Sequence, residues 1–235
     1  MNYAIIAAGD GSRLVKEGVG SPKPLVCLNG ERMIDRLIRI FCANNAQSIS
    51  IIVNEKMAEV SEYLKNKSFP VKVNLIVKST PSSMHSFYEL SKILPNSKFC
   101  LTTVDTIFKE SEFSRYISEF EKDNISDGLF AVTDYIEDES PLYVDTNQDM
   151  KITDFKDKIF DSAKFISGGI YCLNSKSFEV LEDAINSNQS RMRNFQRALI
   201  HNNFNIKAYL FSKIIDVDHA SDIAVAEEFI KTDVC

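Results

Sequence analysis

Four of the chain's eight glycines, Gly9, Gly11, Gly18 and Gly20, fall inside AIIAAGDGSRLVKEGVGSPKPL, which runs from Ala4 to Leu25. A glycine-poor chain that concentrates glycine in one loop is building backbone that turns tightly or approaches something closely. Arg13 and Lys23 flank the loop, so two cationic side chains arrive with free backbone N–H groups, a combination that suits a polyphosphate. Further along, Asp105 closes the run FCLTTVD. An acid at a strand's carboxyl end faces the ligand crevice of an α/β sheet, and a carboxylate there is a natural Mg²⁺ ligand. Near the end, IIDVDHASDIAVAE sets Asp216 and Asp218 two residues apart at the close of another strand-like run, directed to one side of the chain.

The glycine spacing separates three kinds of loop. A dinucleotide fingerprint needs GxGxxG, but Gly9-Asp10-Gly11-Ser12-Arg13-Leu14 puts leucine where the third glycine should pack. A P-loop needs GxxxxGK followed by Ser or Thr, and no such string occurs. What remains is AAGxGxRL, a short spacer and PKPL. This resembles the signature of nucleotidyltransferases that join a nucleoside triphosphate to a phosphorylated acceptor. Sugar-1-phosphate nucleotidyltransferases and the cytidylyltransferases of phosphocholine and related acceptors carry it.

The resemblance implies a nucleotide site at Ala7, Ala8, Gly9, Asp10, Gly11, Ser12, Arg13 and Lys23. Arg13 would fork onto the β- and γ-phosphates and hold the departing pyrophosphate. Lys23, between Pro22 and Pro24, would set a point charge near the α-phosphate. The family also places a metal-binding aspartate where Asp105 stands, although Val104 replaces the glycine that usually precedes it. Its closing "DxDtxeDl" element resembles the stretch from Asp216 to Asp222 and would supply the second carboxylate for Mg²⁺. Whether Asp216 or Asp218 does so stays open, as does a plainer role for these acids in capping the following helix.

A weaker match aligns MKITDFKDKIFDSAKFISGGIYCLN with a family stretch in which "EKP" precedes a "GiY" strand. Asp157 then replaces the glutamate and Ile159 the proline, while Lys158 keeps the lysine. Lys158 would hold the acceptor phosphate, with Gly168 and Gly169 letting the acceptor lie against backbone. The family's base-reading "GTaxA" loop is absent; Ser79-Thr80-Pro81-Ser82-Ser83-Met84 stands there. Ser82 and Ser83 are the candidate base and ribose contacts, and their hydroxyls are equally able to cap the next helix.

The elements that must position these residues read as alternating strands and helices. Strand-like runs at Tyr3–Ala8, Ser48–Asn54, Val71–Val77 and Lys98–Thr103 are separated by helical spacing at Glu31–Asn44, Lys56–Lys65 and Ser82–Leu94. That order predicts a parallel sheet with right-handed crossovers. The middle differs: Leu129–Thr133, Leu142–Asp145, Lys151–Phe155 and Lys164–Leu173 read as strands without helices between them, an antiparallel or mixed insertion over one edge. Helices follow at Ser177–Ser187 and about Arg191–Asn202, then strands at Ile206–Phe211 and Ile214–Val217 and a closing helix at Ala220–Thr232. The fold implied by the resemblance is an α/β three-layer αβα sandwich with a Rossmann-like, mostly parallel mixed sheet. One catalytic domain over 1–235 is expected.

Composition narrows the partners. A net charge of -6 argues against a general nucleic-acid or anionic-membrane binder. No apolar run approaches the roughly 20 residues of a membrane span, and MNYAIIAAG lacks the basic start of a secretory signal. Cys27, Cys42, Cys100, Cys172 and Cys235 are scattered with no metal spacing, as expected of free thiols in the cytoplasm. His85, His201 and His219 have no nucleophile beside them in sequence. The expected partners are a nucleoside triphosphate, Mg²⁺ and a phosphorylated small molecule. A sugar-1-phosphate is preferred because no aromatic cage for a quaternary ammonium is evident; a phosphocholine-like acceptor or a non-catalytic nucleotide-binding relative are the alternatives.

Overall fold

The computed structural model describes residues 1–136, 140–160 and 163–232; Cys235 lies outside them. In chain order the elements are β1 (Asn2–Ala7), α1 (Ser12–Lys16), β2 (Cys27–Leu28), β3 (Glu31–Arg32), α2 (Met33–Ala43), β4 (Ser48–Val53), α3 (Ala58–Lys65), β5 (Lys72–Val77), α4 (Ser83–Ser91), β6 (Phe99–Thr103), β7 (Thr106–Ile107), α5 (Glu110–Lys122), β8 (Gly128–Thr133), β9 (Tyr143–Thr146), β10 (Ile152–Lys156), β11 (Phe165–Leu173), α6 (Ser177–Asn186), α7 (Met192–His201), β12 (Ile206–Phe211), β13 (Ile215–Asp216) and α8 (Ala220–Lys231).

Among the described residues, nine strands form one sheet. Parallel pairing joins β6, β1, β4 and β5 in that order, and also β8 with β12. β1 is buried along its whole length, and five of its six residues, Tyr3 to Ala7, alternate between two cores. Tyr3, Ile5 and Ala7 pack with α2, α3 and α5, while Ala4 and Ile6 pack with α4, α6 and α7. A strand covered on both faces reads as a continuous apolar run, which is why this one is visible in the sequence. The helices therefore form two outer layers, as the αβα expectation requires.

Two details differ from the sequence expectation. The antiparallel strand β11 is not at an edge but inside the sheet, between β6 and β8, with the β9–β10 hairpin joining beside its start. Helix α5 falls in a stretch to which the sequence reading assigns nothing. Of its 13 residues, Phe113, Tyr116, Ile117 and Phe120 are buried, a narrow apolar stripe submerged in a charged segment. Tyr116 then ties α5 to the sheet, donating to the Leu129 carbonyl at 2.5 Å and accepting from the Cys172 N–H at 3.0 Å.

The smallest strands matter most for the site. β13 pairs with β7, setting Asp216 opposite Thr106, and the Val217 N–H donates to the Asp105 carbonyl at 3.1 Å. Two acids from the C-terminal part of the chain thereby arrive beside the end of β6. In β11 the pairing on one side passes from β9 at Phe165 and Ile166 to β6 at Ile170–Leu173. Gly168 and Gly169 occupy the switch. Gly169 has φ +73°, and a Cβ on Gly168 would stand 2.2 Å from Ile214 Cδ1.

Candidate active site

The glycine loop leaves β1 at the carboxyl end of the parallel strands, where α/β sheets bind ligands. Gly11 adopts φ +58°, and a Cβ there would approach Lys23 Cβ to 3.1 Å, so the loop folds back against the Pro22-Lys23-Pro24 turn. Leu14 is buried and anchors the loop to the core, which accounts for leucine where a dinucleotide fingerprint would need glycine. Asp105 follows β6, whose end is held by the Val104 N–H donating to the Ile6 carbonyl at 3.0 Å. Val104 itself is buried in the core, so the residue that replaces the family glycine is accommodated by packing.

These parts converge on one ammonium. Lys23 is almost wholly buried, and its Nζ contacts the Asp105 carboxylate and lies 2.6 Å from Asp218 Oδ1. Arg13 Nη1 takes the other Asp218 oxygen at 2.8 Å. Burial pulls the Lys23 pKa down, but the Asp105 and Asp218 carboxylates outweigh it and leave it above the ordinary lysine value. Burial pushes Asp218 up, but Lys23 and Arg13 hold it below the usual carboxylate range. Asp218 is fixed in turn by its own N–H, which donates to Asp222 Oδ2 at 2.9 Å. Glu17, at the far end of the glycine loop, meets His219 Nδ1 and the Ala220 N–H, each at 2.6 Å.

A crevice of about 470 Å³ opens over this cluster. The ten residues expected to bind nucleotide, Ala7 through Arg13 together with Lys23, Ser82 and Ser83, all line it, as do Asp105 and Asp218. The Ser82 hydroxyl bonds His85 Nδ1 at 2.9 Å and accepts from the Arg191 N–H at 3.3 Å, so it organises the wall as much as it faces the crevice. Asp216 lies elsewhere. It is exposed and lines two adjoining cavities of about 380 and 310 Å³, the first with Gly168 and the second with Gly169.

Lys158 is exposed and is not among the residues that line these three cavities. The cation common to the two smaller cavities is Arg193, with Arg13 lining the first and Arg191 the second. Arg193 also holds Asp157, the residue beside Lys158, at 2.6 Å. Lys158 keeps the lysine of the family's "EKP" stretch, but β10 ends at Lys156 and leaves it on the surface. The sequence reading also passes over Asn54, Thr80, Tyr171 and Gln196. Asn54 carried a usable signal, since it sits at a strand's carboxyl end as Asp105 does. Gln196 and Arg193 on α7 carried none, because one helical segment cannot reveal which face meets a cavity.

A divalent ion is supported by a pair of acids and not by a cage. Among the described residues, no group of three or more His, Cys, Asp or Glu is arranged to hold a metal. The Asp105 and Asp218 carboxylates nonetheless face one cation position, now taken by the Lys23 ammonium. Mg²⁺ is commonly bound by one or two carboxylates with the rest of its shell from water and substrate phosphate, so the donor set fits. Cys27, Cys42, Cys100 and Cys172 are free thiols. No helix among the described residues is long and apolar enough to cross a membrane.

The fold and the crevice define a nucleotide-binding α/β protein with a paired-carboxylate centre. Comparison with known proteins agrees. The family profile described as nucleotidyl transferase matches residues 3–232, and the chain belongs to that family of enzymes. It is 22% identical over 232 residues to the D-glycero-alpha-D-manno-heptose 1-phosphate guanylyltransferase of Campylobacter jejuni, with 97% of each chain covered. The inositol-1-phosphate CTP transferase of T. maritima shares the fold at TM-score 0.79 and 17% identity, over 97% of both chains. The CTP:phosphocholine cytidylyltransferase of Streptococcus pneumoniae shares it at TM-score 0.74 and 21% identity, over 97% of this chain and 98% of that one.

Proposed function

We propose that the chain transfers a nucleoside monophosphate from a triphosphate to a sugar-1-phosphate and releases pyrophosphate, with Mg²⁺ as cofactor. The observation that carries this is the convergence of Asp105 and Asp218 on Lys23 beneath the glycine loop. An acceptor phosphate oxygen attacks the α-phosphorus in line, the bond to the β-phosphate oxygen breaks, and pyrophosphate takes the electron pair. The acceptor phosphate is already anionic, so neither a protein nucleophile nor a strong base is needed.

Lys23 stabilises charge at the α-phosphate, and Arg13 holds the β- and γ-phosphates. Both cations are now neutralised by Asp218 and Asp105, so phosphate binding exchanges one set of anions for another around the same two side chains. Mg²⁺ bound by Asp105 and Asp218 would neutralise triphosphate charge. Of the two C-terminal acids, Asp218 is the ligand in this reading, and Asp216 faces the acceptor. One sheet supports both halves, in keeping with one catalytic domain over 1–235, and the free thiols suit the cytoplasm.

The acceptor side favours hydroxyls over a quaternary ammonium. Its walls carry Ser140, Ser167, Arg193, Gln196 and Asp216. Ser167 Oγ donates to Gln196 Oε1 at 2.9 Å, and Gln196 Nε2 donates to the Tyr171 hydroxyl at 3.2 Å. The face of Tyr135, an aromatic ring at that wall, is already covered by the Lys213 ammonium 3.8 Å from its centroid. The test is pyrophosphate release with Mg²⁺ from the four ribonucleoside triphosphates and dTTP, against a panel that includes hexose and heptose 1-phosphates, inositol 1-phosphate and phosphocholine. Release requiring one triphosphate, a sugar-1-phosphate and metal together is the expected result. Release with phosphocholine alone would overturn the acceptor, and metal-dependent nucleotide binding without release from any pair would favour a non-catalytic relative.

A further inference from the structure

We propose that Asn54 is a positioning residue that sets the two walls of the nucleotide crevice against each other; this rests on the reading that the crevice takes a triphosphate. β4 lies between β1 and β5 in the sheet. The loop after β1 is the glycine loop, and the loop after β5 carries Ser79 and Thr80. Asn54 stands at the end of the strand between them and reaches both. Its Nδ2 donates to the Ala8 carbonyl at 3.1 Å and to Asp10 Oδ1 at 3.0 Å. Its Oδ1 accepts from the Ser79 hydroxyl at 2.8 Å and from the Lys56 N–H at 3.0 Å. The partners fix the amide's orientation, because a carbonyl and a carboxylate only accept and a backbone N–H only donates.

Asn54 is 4% exposed, and all four of its side-chain hydrogen-bonding positions are used. Only the Lys56 bond serves its own turn, in the manner of any Asn that caps a loop. The other three leave the turn, two to the wall that holds Arg13 and one to the wall opposite. A fully satisfied buried polar hub of this kind specifies one geometry. It also restrains a hazard. Asp10 lines the crevice, and a loose carboxylate there would repel the triphosphate; the Asn54 amide draws one of its oxygens to the wall. On the opposite side the restraint passes from Ser79 to Thr80, whose hydroxyl lies 2.6 Å from Ser86 Oγ, both residues lining the crevice.

The test measures steady-state pyrophosphate release in Asn54→Ala, Asn54→Asp and Ser79→Ala with the wild type's preferred substrates. Asn54→Ala is expected to raise the triphosphate KM about tenfold while the acceptor KM stays within about twofold, since misplacement at one end of a site is felt there first. Asn54→Asp should be worse, because it sets a carboxylate against Asp10 and the Ala8 carbonyl, and adding Asp10→Asn should recover part of the loss by restoring a donor. Ser79→Ala, which removes one bond of four, should raise the triphosphate KM about threefold and serves if the Asn54 variants fail to fold. A triphosphate KM within about twofold of wild type in the folded variants overturns the proposal, as does an equal rise in both KM values. If the wild type shows no transfer, equilibrium binding of the five triphosphates with Mg²⁺ replaces KM. Weaker binding in the variants then sustains the role of Asn54 while the transferase reading falls, and unchanged binding overturns both.

Discussion

In the proposed reading the nucleotide end takes Ala7 to Arg13 and Lys23 from one stretch of chain, joined by Ser82, Ser83, Asp105 and Asp218 from later elements, whereas the acceptor end collects Gly168 from β11, Arg193 from α7 and Asp216 from β13. The glycine loop of the first is shaped by short-range geometry, a glycine at φ +58° and two prolines around a buried lysine, and is then tied to Asp105 and Asp218. The second exists only once the sheet has closed and β11 has switched partners at its glycines. The nucleotide end is also charge-paired before any ligand arrives, with Arg13 and Lys23 bound to Asp218. A loop made from contiguous residues keeps its shape through local geometry, while a cavity gathered from distant elements depends on the whole sheet.

The comparison breaks most directly at Asp105. Asp105→Ala is expected to lower turnover about a thousandfold, by removing several kcal/mol of charge stabilisation at the transferring phosphate. Activity within a fewfold of wild type would remove Asp105 from the metal site. Next, Lys23→Ala should cost about a hundredfold or more in kcat/KM for the triphosphate, the usual scale for one electrostatic donor in a dry site. It would also leave Asp105 without its cation and Asp218 with Arg13 alone, so a thermal melt should accompany the kinetics.

The acceptor end is sharpened by a contrast between two cations. Arg193→Ala should raise the acceptor KM about tenfold with the triphosphate KM little changed, while Lys158→Ala stays within about twofold on both. The reverse result would return the acceptor phosphate to Lys158. Neither end should respond to Tyr116→Phe, which strands the Leu129 carbonyl and the Cys172 N–H in the core. It should cost about 1–3 kcal/mol in denaturant unfolding with both KM values unchanged.

How much of this was legible follows the same division. The glycine loop, its cations and Asp105 were readable because local spacing carries their roles. The β–α alternation of the first half was readable because strands buried on both faces leave continuous apolar runs. Asp216 and Asp218 cannot be told apart by alternation, which directs both to one side; the chain turns after β13, where the Asp218 N–H donates to the Asp216 carbonyl at 3.1 Å, and Asp218 reaches Lys23. Lys158 matches the lysine of the "EKP" stretch ahead of Gly168 and Gly169, but both glycines have packing reasons of their own. Gly168 makes room for Ile214, and Gly169 takes the left-handed backbone of a strand that changes partners. α5 is hidden in the sequence because its four buried side chains sit among charged neighbours, and Asn54 because an amide after a strand reads as an ordinary turn residue.

Central to the account is the claim that Asp218 occupies the phosphate-binding cations until metal and nucleotide replace it. Equilibrium binding of the preferred triphosphate to wild type and to Asp218→Asn, each with and without Mg²⁺, tests it directly. Mg²⁺ is expected to strengthen wild-type binding about tenfold or more, and Asp218→Asn to bind the metal-free nucleotide more tightly than wild type while losing most of the metal effect. Weaker metal-free binding by Asp218→Asn, or wild-type binding that ignores Mg²⁺, would contradict it.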